Sequence, residues 1–284
     1  MTTRRGHKTF DRSLLDTKLS INSATGILYR RAANPLISKP SPIKRFGGHV
    51  IENMIDFEIK ICGIQSAGDV AACAAAGADC IGLNFYPPSV RYLDPRGATA
   101  RVVNDRAAAE GLVRVGLFVN EPASSIIDIA QSLGLDAVQL HGDETPSLAE
   151  SLLKKGISVI RAIRLPTTSM SPAQIQGFIG PWAELPVTWL LDADAGAAYG
   201  GGGRQLDWAS LATWSGETSQ QDDGPNWILA GGLNCENVAQ ARRTSTARRV
   251  DVASGVESSR GKKSAELIQR FVVQCRARGV DESA

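Results

Sequence analysis

From Phe57 onward, short apolar runs rich in β-branched residues alternate with stretches whose apolar residues recur at helical spacing. The runs cover 57–62, 80–84, 114–119, 137–140, 159–162, 188–192, 227–230 and 249–252. Helical patterns follow at 67–76, 98–110, 124–133, 147–155, 172–178, 208–213, 236–242 and 264–276, which makes eight β/α pairs. Strands that are apolar on both faces belong to a parallel sheet covered on both sides. Right-handed crossovers wind eight such units into a closed (β/α)8 TIM barrel. An open, doubly wound sheet is the alternative. It is disfavoured because Cys62-Gly63-Ile64, and no G-x-G-x-x-G fingerprint, follows the first strand. The polar stretch 215–226 lies between the sixth helix and seventh strand, on the stability face, and reads as a surface insertion.

Residues 1–53 have no such periodicity; their best helical candidate is a short one at 13–19. They carry ten Lys/Arg against three Asp/Glu, while the rest of the chain carries 21 against 26. The expected division is a basic, disordered extension (1–53) and a barrel domain (54–284). A transit peptide is one alternative for the extension. Another is translated sequence upstream of a true start at Met54, which stands just before the first strand.

The mildly acidic barrel argues against a nucleic-acid partner. No apolar run approaches the ~18 residues of a membrane-spanning helix. The five cysteines form no C-x-x-C pair, which disfavours zinc ligation and a disulfide framework and fits a reducing, cytoplasmic location.

A barrel builds its active site at the C-terminal ends of its strands. Cys62, His141 and Asp192 end strands one, four and six. Cys62 is either a buried core thiol or a base, and Lys60, two residues back on the same strand face, is expected to help it ionise. Asp192 is either a cap or a carboxylic acid whose apolar surroundings keep its proton for donation. His141 is equally well a hydrogen-bonded structural residue. Arg91, in the loop after strand two, is a surface residue or a bidentate clamp for a carboxylate. Glycine-bearing loops follow strands six, seven and eight: Gly200 to Gly203, Gly231-Gly232 and Ser254-Gly255. Loops in these positions commonly form a barrel's phosphate site. The run from Gly255 to Lys263 approaches a Walker A loop but has five residues between its glycines and Lys in place of Ser/Thr.

Together these segments resemble the phosphoribosylanthranilate isomerases of tryptophan biosynthesis. The matching pieces are KICG (60–63), ADCIGLNFYPPSVRYL (78–93), VGLFVN (115–120), VQLHGDE (138–144), LLDA (190–193), GGGGRQLDW (200–208), LAGGLNCENV (229–238) and VDVASGVE (250–257). The resemblance implies an Amadori rearrangement of N-(5-phosphoribosyl)anthranilate to 1-(2-carboxyphenylamino)-1-deoxyribulose 5-phosphate. It makes Asp192 the general acid and Cys62 the general base. Arg91 would hold the anthranilate carboxylate, with His141 and Asp251 lining the site. Gly201, Gly202, Gly203, Gly231, Gly232, Ser254 and Gly255 would hold the phosphate. No metal or cofactor is implied, and the expected assembly is a monomer or homodimer. Ala253, Arg260 and Ser264 depart from the residues common in the family. A histidine-pathway isomerase would be expected to carry Asp where Cys62 stands, and a non-catalytic phosphate sensor would not require both Cys62 and Asp192.

Overall fold

The computed structural model describes residues 55–194, 204–218 and 227–277, together with the backbone of four short N-terminal strands. The chain divides into two units, Met1–Lys44 and Arg45–Ala284. In the first, Ser20–Ile21 pairs antiparallel with Leu28–Tyr29. Lys44–Phe46 and His49–Ile51 form another two-stranded sheet. The expected disorder of 1–53 and helix at 13–19 otherwise fall outside the described residues.

The second unit holds the expected barrel. Its strands are β1 (Ile59–Cys62), β2 (Cys80–Asn84), β3 (Val113–Phe118), β4 (Ala137–Leu140), β5 (Ser158–Leu165), β6 (Thr188–Ala193), β7 (Trp227–Leu229) and β8 (Arg249–Val252). Each pairs in parallel with its sequence neighbours, and β8 pairs with β1 to close the ring. The helices are α1 (Ala67–Ala76), α2 (Ala98–Ala109), α3 (Ala123–Leu133), α4 (Pro146–Leu153), α5 (Pro172–Ile179), α6 (Trp208–Thr218), α7 (Val238–Ser245) and α8 (Ala265–Arg276). After β8 a small hairpin, β9 (Glu257–Ser259) with β10 (Lys262–Lys263), precedes α8.

Several boundaries differ from expectation, two of them for local physical reasons. The sixth helix runs to Thr218, so the first residues of the supposed insertion are helical, and Trp214 and Ser215 are buried. The seventh helix starts at Val238, because the Asn234 side chain takes the backbone N–H groups of Glu236 and Asn237 into a turn first. Local signals elsewhere act as their chemistry dictates. Ser66 and Ser171 open α1 and α5 with capping boxes, each cap being typically worth ~1 kcal/mol.

Period-two alternation sorts the strand residues into two cores. Ile59, Ile61, Ile81, Leu83, Val138, Leu140 and Leu191 pack outward in the core beneath the helices. Phe57, Cys80, Val115, Ala137, Ile160, Leu190 and Ile228 fill the barrel itself. Above that plug, Lys60, Gln139 and Asp251 meet in a polar layer, and Cys62, Leu117 and Val119 cluster above it. The apolar plug closes one end of the barrel and leaves the other for chemistry.

Candidate active site

A cavity of about 310 Å³ opens at the C-terminal end of the barrel, within the range of small-molecule sites. Its wall includes Cys62, Arg91, His141, Asp192, Gly231, Gly232, Asp251 and Ser254, so most residues nominated from sequence converge on one space. Gly201, Gly202 and Gly203 fall outside the described residues.

Cys62 ends β1 directly opposite Gly82 of β2. A Cβ on Gly82 would stand 2.7 Å from the Cys62 Sγ, so glycine there makes room for the thiol. Burial pushes the Cys62 thiol above its ordinary value, and Lys60, Lys263 and Arg91 only partly offset this. The expected help from Lys60 is present, as the largest of these offsets, but burial outweighs it. Lys60 is spent on Asp251, 2.7 Å away, and desolvation outweighs what remains of its pull. Burial opposes the charge on Lys60 as well, yet the Asp251 carboxylate holds its ammonium protonated above the ordinary range.

Asp192 lies within β6 and is 9% exposed, while the turn before Gly196 that it was also expected to cap lies outside the described residues. Its Oδ2 faces His141 Nε2 at 3.4 Å. A Cβ on Gly231 would come within 3.0 Å of Asp192 Oδ1 and 2.7 Å of the Ala193 amide nitrogen. Gly231 also has φ +83°, so glycine is required there twice over. His141 follows β4, and its backbone N–H donates to the Phe118 carbonyl at 3.0 Å. Its ring contacts Gln139 Nε2 through Nδ1 at 2.9 Å.

Arg91 reaches the site because its loop folds back on β2. The Asn84 side chain holds Ser89 and the Tyr86 N–H, and Leu93 N–H returns to the Asn84 carbonyl. The stem of Arg91 lies where a Cβ on Gly63 would stand. Its guanidinium is forked onto Glu257, with Nε to Oε1 at 2.6 Å and Nη2 to Oε2 at 2.9 Å. The expected free carboxylate clamp is thus already engaged by a carboxylate of the chain.

Lys263 also donates to Glu257 Oε1 and to the Ala253 carbonyl, both at 2.8 Å. Although burial opposes ionisation, these cations hold the Glu257 carboxyl down at about 2. The Walker-like run is therefore a hairpin closed by its own lysine. Gly255 is not in the cavity wall; the Leu233 carbonyl packs where a side chain would stand, so only glycine fits there.

Residues 59–274 match the family model for N-(5'phosphoribosyl)anthranilate (PRA) isomerase. The chain belongs to this family. The PRA isomerase of Myxococcus xanthus is 39% identical over 214 residues, which cover 75% of this chain and 93% of the relative. That of Acidithiobacillus ferrooxidans is 40% identical over 223 residues, covering 77% and 97%. The crystal structure of the Thermotoga maritima PRA isomerase superposes with a TM-score of 0.66 at 31% identity, covering 78% of this chain and all of that one. Another solved PRA isomerase, in complex with reduced 1-(o-carboxyphenylamino)-1-deoxyribulose 5-phosphate, gives a TM-score of 0.64 at 30% identity, with 78% and 100% covered. The protein is accordingly an aldose–ketose isomerase of tryptophan biosynthesis.

Sequence reasoning missed several polar groups in and beside this cavity. Glu257 and Lys263 were passed over because their pairing depends on a hairpin that the pattern did not signal. Gln139 was available from alternation, since it precedes His141 by two on β4 and so shares its face. Arg204 and Arg260 also line the cavity.

Proposed function

We propose that the isomerase rearranges N-(5-phosphoribosyl)anthranilate with Asp192 as general acid and Cys62 as general base. The observation that carries this reading is their meeting across one cavity from β1 and β6, with glycine turns beside them. Asp192 gives its proton to the furanose ring oxygen as the C1–O bond breaks, and the anthranilate nitrogen lone pair forms the C=N bond of a cationic Schiff base. Cys62 as thiolate then takes the C2 proton, and that C–H bond pair becomes the C1–C2 double bond of an enolamine. Loss of the enol O–H proton and protonation of C1 give the ketone. The proton lost at Asp192 equals the one gained at Cys62, and exchange with solvent restores the pair.

The thiol is protonated in the free protein at neutral pH because burial dominates. The iminium cation beside it, added to Lys60, Lys263 and Arg91, favours the thiolate when the base is needed. Arg91 retains N–H donors beyond the two that Glu257 takes, so the anthranilate carboxylate shares or displaces Glu257. The amides of Gly231, Gly232 and Ser254, with those of Gly201 to Gly203, are assigned to the phosphate, while Gly255 stays outside the cavity wall; Asp251 lines the same space and pairs with Lys60. Five free cysteines fit a reducing cytoplasm. A monomer or homodimer is proposed, as the T. maritima relative is described both as dimeric and as generated monomers.

The test is turnover of N-(5-phosphoribosyl)anthranilate by the purified protein, with the histidine-pathway isomerase substrate assayed in parallel. Cys62→Ala and Asp192→Asn serve as folded controls. Turnover by both variants at the parent rate removes the assignment.

A further inference from the structure

The polar layer under the cavity contains a buried group with no step in the reaction, the ion-paired Lys60. Its ammonium touches Asp251 Oδ1 at 2.7 Å and Gln139 Oε1 at 2.9 Å. An ammonium carries three donors and no acceptor, so the Gln139 atom facing it is the amide oxygen. The other end of that amide, Nε2, is then a donor, and it stands 2.9 Å from His141 Nδ1. A hydrogen on Nδ1 would point at amide hydrogens, so Nδ1 presents its lone pair. In the neutral ring the hydrogen is therefore on Nε2, the atom 3.4 Å from Asp192 Oδ2.

We infer that Lys60 and Gln139 are positioning residues that lock His141 as its Nε2–H tautomer, aiming a hydrogen-bond donor at Oδ2 of Asp192. The functional half of this inference rests on Asp192 being the general acid. With Oδ2 occupied as an acceptor, the transferable proton is carried on Oδ1. That oxygen faces Gly231, the glycine turn after β7. The contact of 3.4 Å is long for a finished hydrogen bond, and catalytic contacts commonly tighten when substrate binds. The network also explains why a lysine is buried in the barrel. Paired with Asp251, it stays charged and can only donate, so the amide cannot turn over without opposing hydrogens on Gln139 and Lys60.

The experiment is nitrogen-15 NMR of the imidazoles in the full-length protein, with His141 assigned by its loss in His141→Gln. In the wild type we expect a bare, pyridine-like Nδ1 and a protonated Nε2. Gln139→Glu is close to isosteric, and its carboxylate accepts from Lys60 and from Nδ1 together, so it should place a hydrogen on Nδ1. The ring then either draws the acid proton of Asp192 to Nε2 or, if doubly protonated, holds the carboxyl ionised. We expect kcat to fall roughly 10- to 100-fold with KM within about twofold, as for other misaligned catalytic groups. His141→Gln, whose amide nitrogen reaches about as far as Nε2, should retain more turnover than the shorter His141→Asn.

A hydrogen on Nδ1 in the wild type overturns the inference without any variant having to fold. An unchanged ring in folded Gln139→Glu, or unchanged kcat once the tautomer has moved, also overturns it. Failure of the acid assignment shows separately, as parent-level turnover in Asp192→Asn, whatever the ring nitrogens report.

Discussion

Glu257 grips Arg91 at both ends of its guanidinium fork, 2.6 Å at Nε and 2.9 Å at Nη2, beside the cavity that Arg91 lines. On the proposed assignment of Arg91 to the anthranilate carboxylate, two carboxylates, one from the chain and one from the substrate, compete for the same planar donor. Arg91→Lys keeps the charge but loses the fork, which bidentate recognition requires. KM for N-(5-phosphoribosyl)anthranilate should rise by about tenfold or more, with a smaller change in kcat. Steady-state kinetics at fixed ionic strength measure the split, and an unchanged KM would remove Arg91 from carboxylate binding.

Glu257 also makes acid stability measurable. Its folded pKa is depressed to about 2 from 4.5, so its stabilisation is fully present above 4.5 and drains away as pH falls toward 2. Glu257→Gln should lower Tm at pH 7, and the gap to wild type should narrow below about pH 4.5. Thermal melts at pH 7, 5, 4 and 3 test this; a gap that stays constant means the carboxylate charge does not stabilise the fold.

The proposed acid–base pair predicts losses without unfolding. Cys62→Ser and Asp192→Asn preserve shape, and each should cost ~10²–10⁴-fold in kcat/KM. Tm should stay near that of the parent. Near-parent turnover in either folded variant excludes that residue from proton transfer.

Burial of Cys62 makes a separate prediction. Because its pKa is raised above 9.0, the thiolate stays a small, pH-limited fraction across the neutral range. Alkylation of Cys62 by iodoacetamide, with Cys62→Ser as blank, should quicken about tenfold per pH unit from pH 6.5 to 8.5. A plateau within that range would reveal a depressed thiol.

The phosphate assignment is tested at Gly232. An Asp there tolerates the φ of +63° better than most residues but sets a carboxylate against the phosphate dianion. KM should rise steeply in a folded Gly232→Asp protein, and an unchanged KM would move the phosphate elsewhere. A protein beginning at Met54 should keep both Tm and turnover, since the barrel strands start after it. Aggregation of the shortened protein would make the extension part of the fold.

The barrel was legible along the chain because its causes are local. Alternation of β-branched runs with helical periodicity needs no partner to be visible, and period two already assigns Cys62, His141 and Asp192 to the inner face at strand ends. Gly231 announced a turn by residue type alone. Pairings between distant strands and loops are another matter. The Lys60–Asp251 ion pair joins residues 191 apart, and Arg91–Glu257 joins residues 166 apart. Neither has a periodic signature, and each turned an expected free charge into one already engaged. The state of Cys62 also followed from packing. Lys60 two residues away does pull the thiol toward ionisation, but desolvation, set by everything that closes around a group, outweighs it. Residue order determines which faces and tips exist; the closed barrel determines which charges meet there and how much water is left to them.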